Sequence, residues 1–368
     1  MRNRQSFIGL SIAELPSPSV LIDLHTVQRN VQAMAQHAED LGVALRPHWK
    51  TSKSAQAARL QSEAGAIGHT VATAAEATAL AAAGGHDIFW AYPPVGRHRV
   101  ETALELARHT RLILGPDSVA AVRPLAEAAQ RHELLIDVRL EVDSGLHRTG
   151  VSPENALATA KELMVLPGIR LEGIFTHEGH VQGVGADPQR RRDTGVDAGR
   201  ILVEVAEQIR AAGIALQSVS VGSTAGVRSA PTVDGITEAR PGTYIYGDEN
   251  QVAIGTTAPE DAAVTVLSRV ISIERDGTVL IDAGIKAMSK DGTMHGDGRI
   301  GTVVSDCGGI VATGHEEHGF LRSSTGLKVG DTVRIRPNHV CGLINMHSNA
   351  WVIEDDLVTD IWPTLARH

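Results

Sequence analysis

Two short runs hold the residue types that chemistry needs. The first is "RPHWKTSKS", residues 46–54, where His48, Trp49 and Lys50 stand together just past the apolar run Val43, Ala44, Leu45. A lysine amine can condense with a carbonyl group when a site holds the two together, although most lysines are surface residues. The second is "RPNHVCGLINMH", where His339 and Cys341 are two residues apart. On a strand, residues i and i+2 face the same side. Imidazole and thiolate could then reach one ion, and that donor pair suits zinc. The competing reading makes Cys341 a buried core thiol.

More polar residues follow later apolar runs. "LEVDSGLHRTG" offers Asp143, His147 and Arg148, and "IFTHEGH" offers His177, Glu178 and His180. "SVGSTAG" offers Gly222, Ser223 and Thr224, and "EARPGTYIYGD" offers Arg240, Gly242, Thr243, Tyr244 and Tyr246. One glycine-serine cluster is more often a turn than a binding loop. Recurrence at successive strand ends is not what turns alone produce. Backbone N–H groups and hydroxyls in the last two runs suit a phosphate. A lysine on the same face suggests condensation with the aldehyde of pyridoxal 5'-phosphate (PLP).

These residues need elements to position them. "SVLIDL" predicts a strand, and the segment 27–41 a helix, with Val27, Val31, Met34, Ala38 and Leu41 on one face and Gly42 at its end. "VALRPH", "AIGHTVA", "DIFWAY", "RLILG", "LIDVRLEVD", "IRLEGIFTH", "SVSVGS" and the neighbourhood of "YIYGD" predict further strands, with helices expected over 54–64 and 74–83. Strands alternating with helices imply parallel pairing. Eight or nine such units over residues 18–250 fit an α/β fold of the TIM type, a (β/α)8 barrel. Beyond about residue 255 short β-rich runs separated by Gly, Asp and Asn predict a second, mainly antiparallel β domain. It would comprise residues 251–368 with residues 1–17 and would contain the His339/Cys341 pair.

Composition narrows the function. Lys plus Arg total 34 against 43 for Asp plus Glu, a formal charge of −9 with no long basic run, so nucleic acid is not an expected partner. No apolar stretch is long enough for a membrane span, and the N-terminus lacks the apolar core of a signal peptide. Two cysteines cannot build a disulfide framework, and the cytoplasm is the expected compartment.

With these runs in view, the chain resembles the fold-type III PLP enzymes, the alanine racemase superfamily. Within it the chain is similar to the D-threonine aldolase and D-serine dehydratase family, from "PSPSVLIDL" to "PNHVCGLINMHS". "PHWKTSKS" matches the family motif RPHxKTHK, which implies that Lys50 is the catalytic lysine carrying PLP, with His48 beside it. Ser52 stands where the motif has its second histidine. The resemblance further implies that Arg148 meets the cofactor's phenolate oxygen and His177 its pyridine ring. Ser223, Thr224, Gly242 and Thr243 fall at phosphate positions, and Arg240 falls where racemases face the pyridine nitrogen. Dehydratases of this family have a His-x-Cys metal pair, here His339 and Cys341, whereas the aldolases tend to have aspartate in the second place. His347 is a third ligand or a group behind the ligands, or else a packed core or surface residue.

The resulting expectation is a PLP- and metal-dependent lyase, a homodimer, acting on small D-β-hydroxy-amino acids. The metal would be zinc, with manganese or magnesium as alternatives. Dehydration to an α-keto acid and ammonia is preferred, and retro-aldol cleavage to glycine and an aldehyde is the alternative. A racemase would need a tyrosine from the β domain, and none follows Tyr246. A non-catalytic PLP carrier would have no use for the metal pair.

Overall fold

Eight short strands form a sheet in the order Ala44–Leu45, Glu238–Ala239, Ser218–Val221, Ile169–Phe175, Ile136–Glu141, Arg111–Leu114, Asp87–Trp90, His69–Val71. Every pair is parallel. The two ends meet: Ile67 N–H donates to Leu45 O at 2.9 Å, Thr70 N–H to Pro47 O at 2.8 Å, and His48 bridges Thr70. The sheet is therefore a closed barrel. Helices cross between its strands, among them Ala74–Ala82, Val119–Arg131 and Pro188–Ala211. Local sequence sets their ends. Thr73 Oγ1 accepts the Glu76 N–H at 3.1 Å, and the Glu76 carboxylate accepts the Ala72 N–H at 2.7 Å.

This computed structural model describes residues 4–275 and 278–367. The barrel lies in a unit made of Met34–Lys50 and Ala58–Gly242; Met1–Ala33, Thr51–Ala57 and Thr243–His368 form a second unit. In the second unit a nine-stranded sheet contains one parallel pair, Ser19–Asp23 with Asn349–Glu354, and is otherwise antiparallel. The long strand Val264–Ser272 pairs with both Thr332–Pro337 and Val279–Ile281, which closes six strands into a ring. Among the described residues no helix is long and apolar enough to cross a membrane.

Two strand expectations need correction. "SVLIDL" does form a strand, but Ser19–Asp23 pairs with Val264–Ser272 and Asn349–Glu354 and is not the first barrel strand. Its apolar run would suit the centre of either sheet, so nothing local distinguishes the two. The region of "YIYGD" is not a strand. It forms a 3-10 turn over Thr243–Ile245 and then the helix Glu249–Ala253. The eighth barrel strand is instead Glu238–Ala239, whose first residue is a charge.

That charge explains the barrel interior. Glu238 is 2% exposed and accepts from Arg46 Nε at 2.8 Å, Arg139 Nη1 at 2.5 Å and Ser220 Oγ at 2.6 Å. Arg139 reaches on to Glu172 at 2.7 Å, and Arg46 to Asp87 at 2.6 Å. Above these ions lie Phe89, Ile113 and Phe175, with the two phenylalanine rings edge to face at 4.9 Å. Burial would raise the Glu238 pKa, but Arg139 and Arg46 outweigh it and hold the carboxyl down to about 2.

Glu238→Ala should strand two buried cations and cost about 3–5 kcal/mol of stability. A carboxyl with a depressed folded pKa stabilises above its unfolded value of about 4.3 and loses that contribution as pH falls toward about 2. Glu238→Gln should therefore flatten the acid limb of stability. Urea midpoints followed across the acid range check both, and an alanine variant as stable as the parent would contradict the assignment.

Candidate active site

The lysine turn grows directly from the barrel closure. After Ala44–Leu45 the chain passes Arg46, locked on Glu238, and His48, whose N–H donates to Pro241 O at 3.0 Å. Trp49 is 0% exposed and anchors the 3-10 turn Trp49–Thr51, leaving Lys50 half-buried. A tryptophan between histidine and lysine thus fixes the turn that presents both neighbours.

Other strand ends bring the remaining residues. Beyond Ile136–Glu141 the chain loops out and returns at the Val142–Val151 bridge. Asp143 holds this loop: Oδ1 accepts the Gly145 and His147 N–H groups at 2.9 and 3.0 Å, and Oδ2 lies 2.8 Å from His147 Nδ1. Arg148 is exposed on it. Beyond Ile169–Phe175, His177 donates from Nδ1 to Gly222 O, since a carbonyl oxygen only accepts.

The neighbouring Glu178 is 0% exposed and accepts from Gly222 N–H at 2.8 Å and Ser223 Oγ at 2.9 Å. Burial pushes its carboxyl up. Glycine is needed at two points of this loop: a side chain at Gly222 would come within 2.8 Å of Arg240 Cβ, and one at Gly226 within 2.8 Å of Glu178 Oε1. Thr224 is buried on the same loop. Arg240 is 4% exposed, with Nη1 donating to Ser220 Oγ at 2.5 Å and Nη2 to Thr176 O at 2.7 Å. Its guanidinium lies 5.2 Å from the Phe175 ring centre. Gly242 closes the barrel unit, and Thr243 opens the 3-10 turn that follows.

Electrostatics place these groups together. Burial lowers the His48 pKa well below its ordinary value, reinforced by Lys50, His177, Arg240 and Arg148. Burial and then Lys50 depress His177 to about 3, against its hydrogen bond to Gly222, with Arg148 and Arg240 adding to the effect. Both imidazoles are therefore neutral near pH 7. Burial likewise lowers Arg240, to about 10. Three basic side chains, two neutral rings and a glycine-hydroxyl loop at the C-terminal ends of barrel strands fit an anionic aromatic aldehyde such as PLP.

The second set lies wholly in the other unit. His339 and Cys341 are not two positions on one strand. The strand Thr332–Pro337 ends at a proline, His339 (φ −139°, ψ 113°) precedes the helix Val340–Met346, and Cys341 sits in its first turn. The side chains still meet. His339 hydrogen-bonds to Cys341, and the Cys341 sulfur is 3.2 Å from Thr51 Oγ1. Burial would lower the His339 pKa, but Cys341 and Asp248 outweigh it and push it up to about 11. Once deprotonated, an imidazole nitrogen and a sulfur are both ligands for a divalent ion.

Among the described residues no group of three His, Cys, Asp or Glu side chains could hold an ion together. His347 turns Nε2 to Ala287 O at 3.0 Å. Sequence reasoning passed over Thr51, inside the lysine motif, and Asp248, whose signal was a helix-capping acid before "ENQ". It noted Glu178 without giving it a role.

Residues 22–250 match the family of alanine racemase N-terminal domains, and residues 263–353 match a putative serine dehydratase domain. A D-threo-3-hydroxyaspartate dehydratase from Delftia sp. (strain HT23) is 38% identical, covering 90% of this chain and 92% of that protein. A D-threonine aldolase from Arthrobacter sp. is 30% identical, covering 98% and 94%. Two solved mutants of D-threo-3-hydroxyaspartate dehydratase, both 34% identical, superpose closely. A histidine-to-alanine mutant has a TM-score of 0.91 over 98% of this chain and 97% of that one. A cysteine-to-alanine mutant in the metal-free form has a TM-score of 0.89 over 96% and 99%. The two substituted positions are two residues apart, as His339 and Cys341 are. With residues 22–250 matched and a lysine, arginine and imidazole cluster at the barrel's strand ends, this chain belongs to the alanine racemase-like family, and a serine-dehydratase-type domain follows.

Proposed function

We propose that this chain is a PLP- and divalent-metal-dependent lyase of D-β-hydroxy-amino acids. Its reaction in this reading is dehydration of the D-serine or D-3-hydroxyaspartate type, giving an α-keto acid and ammonia. The observation that carries it is the His339–Cys341 pair, an imidazole and a thiol in mutual hydrogen bond, spaced like the residues substituted in the dehydratase mutants. The second reading is retro-aldol cleavage to glycine and an aldehyde. It is supported by the likeness to the Arthrobacter aldolase over 98% of the chain. A cytoplasmic homodimer goes with either.

When bound, PLP supplies an electron sink for the bond broken at Cα, and the metal, zinc in this reading, supplies a Lewis acid for the β-hydroxyl. Lys50 would hold the cofactor's aldehyde carbon and afterwards move the α-proton. Arg148 would meet the phenolate oxygen. His177, neutral and tied to Gly222, would lie against the ring, with His48 beside Lys50 and Arg240 toward the ring nitrogen. Thr224, Gly242 and Thr243 would hold the phosphate. Ser223 would share in this while its hydroxyl donates to Glu178 and shapes the loop. His339 and Cys341 would hold the metal. Which bond breaks depends on which proton leaves first. If Lys50 removes the α-proton, the β-hydroxyl departs; if a base removes the hydroxyl proton, the Cα–Cβ bond breaks.

Chelation, or His339→Ala, should cut lyase turnover by orders of magnitude, since a Lewis acid is worth several kcal/mol at the transition state. The visible absorbance of bound PLP should persist. Full turnover after verified metal removal would contradict the reading. Borohydride reduction and peptide mapping should place the pyridoxyl group on Lys50. Lys53 is already engaged, with Nζ donating to Ala366 O at 2.8 Å, so a label there, or on Lys286 or Lys290, would overturn the assignment.

A further inference from the structure

Asp248 is a charged side chain with no exposure at all, behind a residue the sequence marks as a metal ligand. Its Oδ1 accepts the Gln251 N–H at 2.9 Å and so caps the helix Glu249–Ala253. Its Oδ2 accepts the Val340 N–H at 3.2 Å and lies 3.1 Å from His339 Nδ1. A cap needs only one carboxylate oxygen, so the cap does not explain why the second oxygen faces an imidazole. An oxygen that already takes an amide N–H acts as an acceptor, so His339 Nδ1 must carry the hydrogen. The lone pair of the neutral ring is then on Nε2, the nitrogen turned away from Asp248. This is the arrangement by which carboxylates orient metal-binding histidines and raise their basicity.

We infer that Asp248 is the positioning residue of the metal pair: it fixes the tautomer and direction of His339 and anchors, through Val340, the turn that presents Cys341. The inference rests on the reading that His339 and Cys341 hold a divalent ion. It adds a third, buried member to the site that does not itself ligate. Its link to Val340 also explains why His339 keeps an extended backbone immediately before a helix.

The test is zinc binding by the PLP-loaded, metal-stripped full-length enzyme, measured by competition with a chromophoric chelator. Asp248→Asn keeps an oxygen for the cap but opposes an amide N–H to His339. Asp248→Ser keeps a capping hydroxyl and leaves His339 Nδ1 without its acceptor. Both should weaken zinc binding about 10- to 100-fold and shift the thiolate-to-metal charge-transfer band of the cobalt-substituted enzyme. A merely structural role would lower the melting temperature of the metal-free protein but leave the zinc dissociation constant and cobalt band of the folded protein unchanged. That result in either variant would overturn the inference. His339→Ala in the same titration separates the two levels. If it binds zinc like the parent, the metal reading itself fails; if it loses zinc while the Asp248 variants do not, only the positioning inference falls.

Discussion

The site hangs on one buried carboxylate. Glu238 belongs to a two-residue strand, and so does its neighbour Ala44–Leu45; strands that short contribute few ladder hydrogen bonds. Ala44 N–H donates to Thr237 O and Arg46 N–H to Ala239 O, both at 2.9 Å, and to these Glu238 adds ionic hydrogen bonds with Arg46 and Arg139, backed by the Ser220 hydroxyl. Arg46 begins the turn that carries His48 and Lys50. Ser220, the other partner of Glu238, also receives Arg240. Barrel closure, the lysine turn and the basic floor of the site are thus one connected set of charged hydrogen bonds. Buried ion pairs of this kind add little net stability over an apolar core. Their value here is directional, because each guanidinium ties one part of the barrel to another.

The second unit applies similar logic around a different carboxylate. Next to Asp248, Glu249 is 2% exposed and pairs with Arg336 at 2.6 Å and His295 at 2.6 Å. Asn338 donates to the carbonyls of Asp291 and Arg299 at 3.0 and 2.6 Å. Ser289, a non-glycine residue at φ +68°, hydrogen-bonds Asp291, and that carboxylate packs against Gly342, which a side chain would displace. The junction bearing His339 and Cys341 is therefore held from both sides by buried polar contacts, which favours a fixed geometry over adaptability.

Where the sequence could be read, local chemistry agreed with tertiary structure. Val27, Val31, Met34 and Ala38 are buried along the helix Leu24–Asp40, and Gly42 ends it at φ +65°. The barrel's apolar strands are plain for the same reason, whereas the lysine motif is legible through the family resemblance. Glu238–Ala239 was not, because a strand stabilised by a buried charge has no apolar run to show. Ser19–Asp23 was assigned to the wrong sheet because a central strand looks alike in both. The His-x-Cys spacing is visible in the sequence, but the family resemblance is what points it to a metal, and a proline-ended turn replaces the strand argument. Asp248 and Thr51 escaped because their partners, His339 and Cys341, are far away in the chain.

In the proposed reading, this scaffold, with its imidazole–thiol pair, removes water from the substrate rather than breaking its carbon skeleton. The most direct measurement is incubation of the purified enzyme with D-threo-3-hydroxyaspartate, D-serine and D-threonine, quantifying α-keto acid, ammonia, glycine and aldehyde in the same samples. The expected result is α-keto acid and ammonia in matching amounts from the best substrate, without glycine. Glycine and an aldehyde as the only products would contradict it.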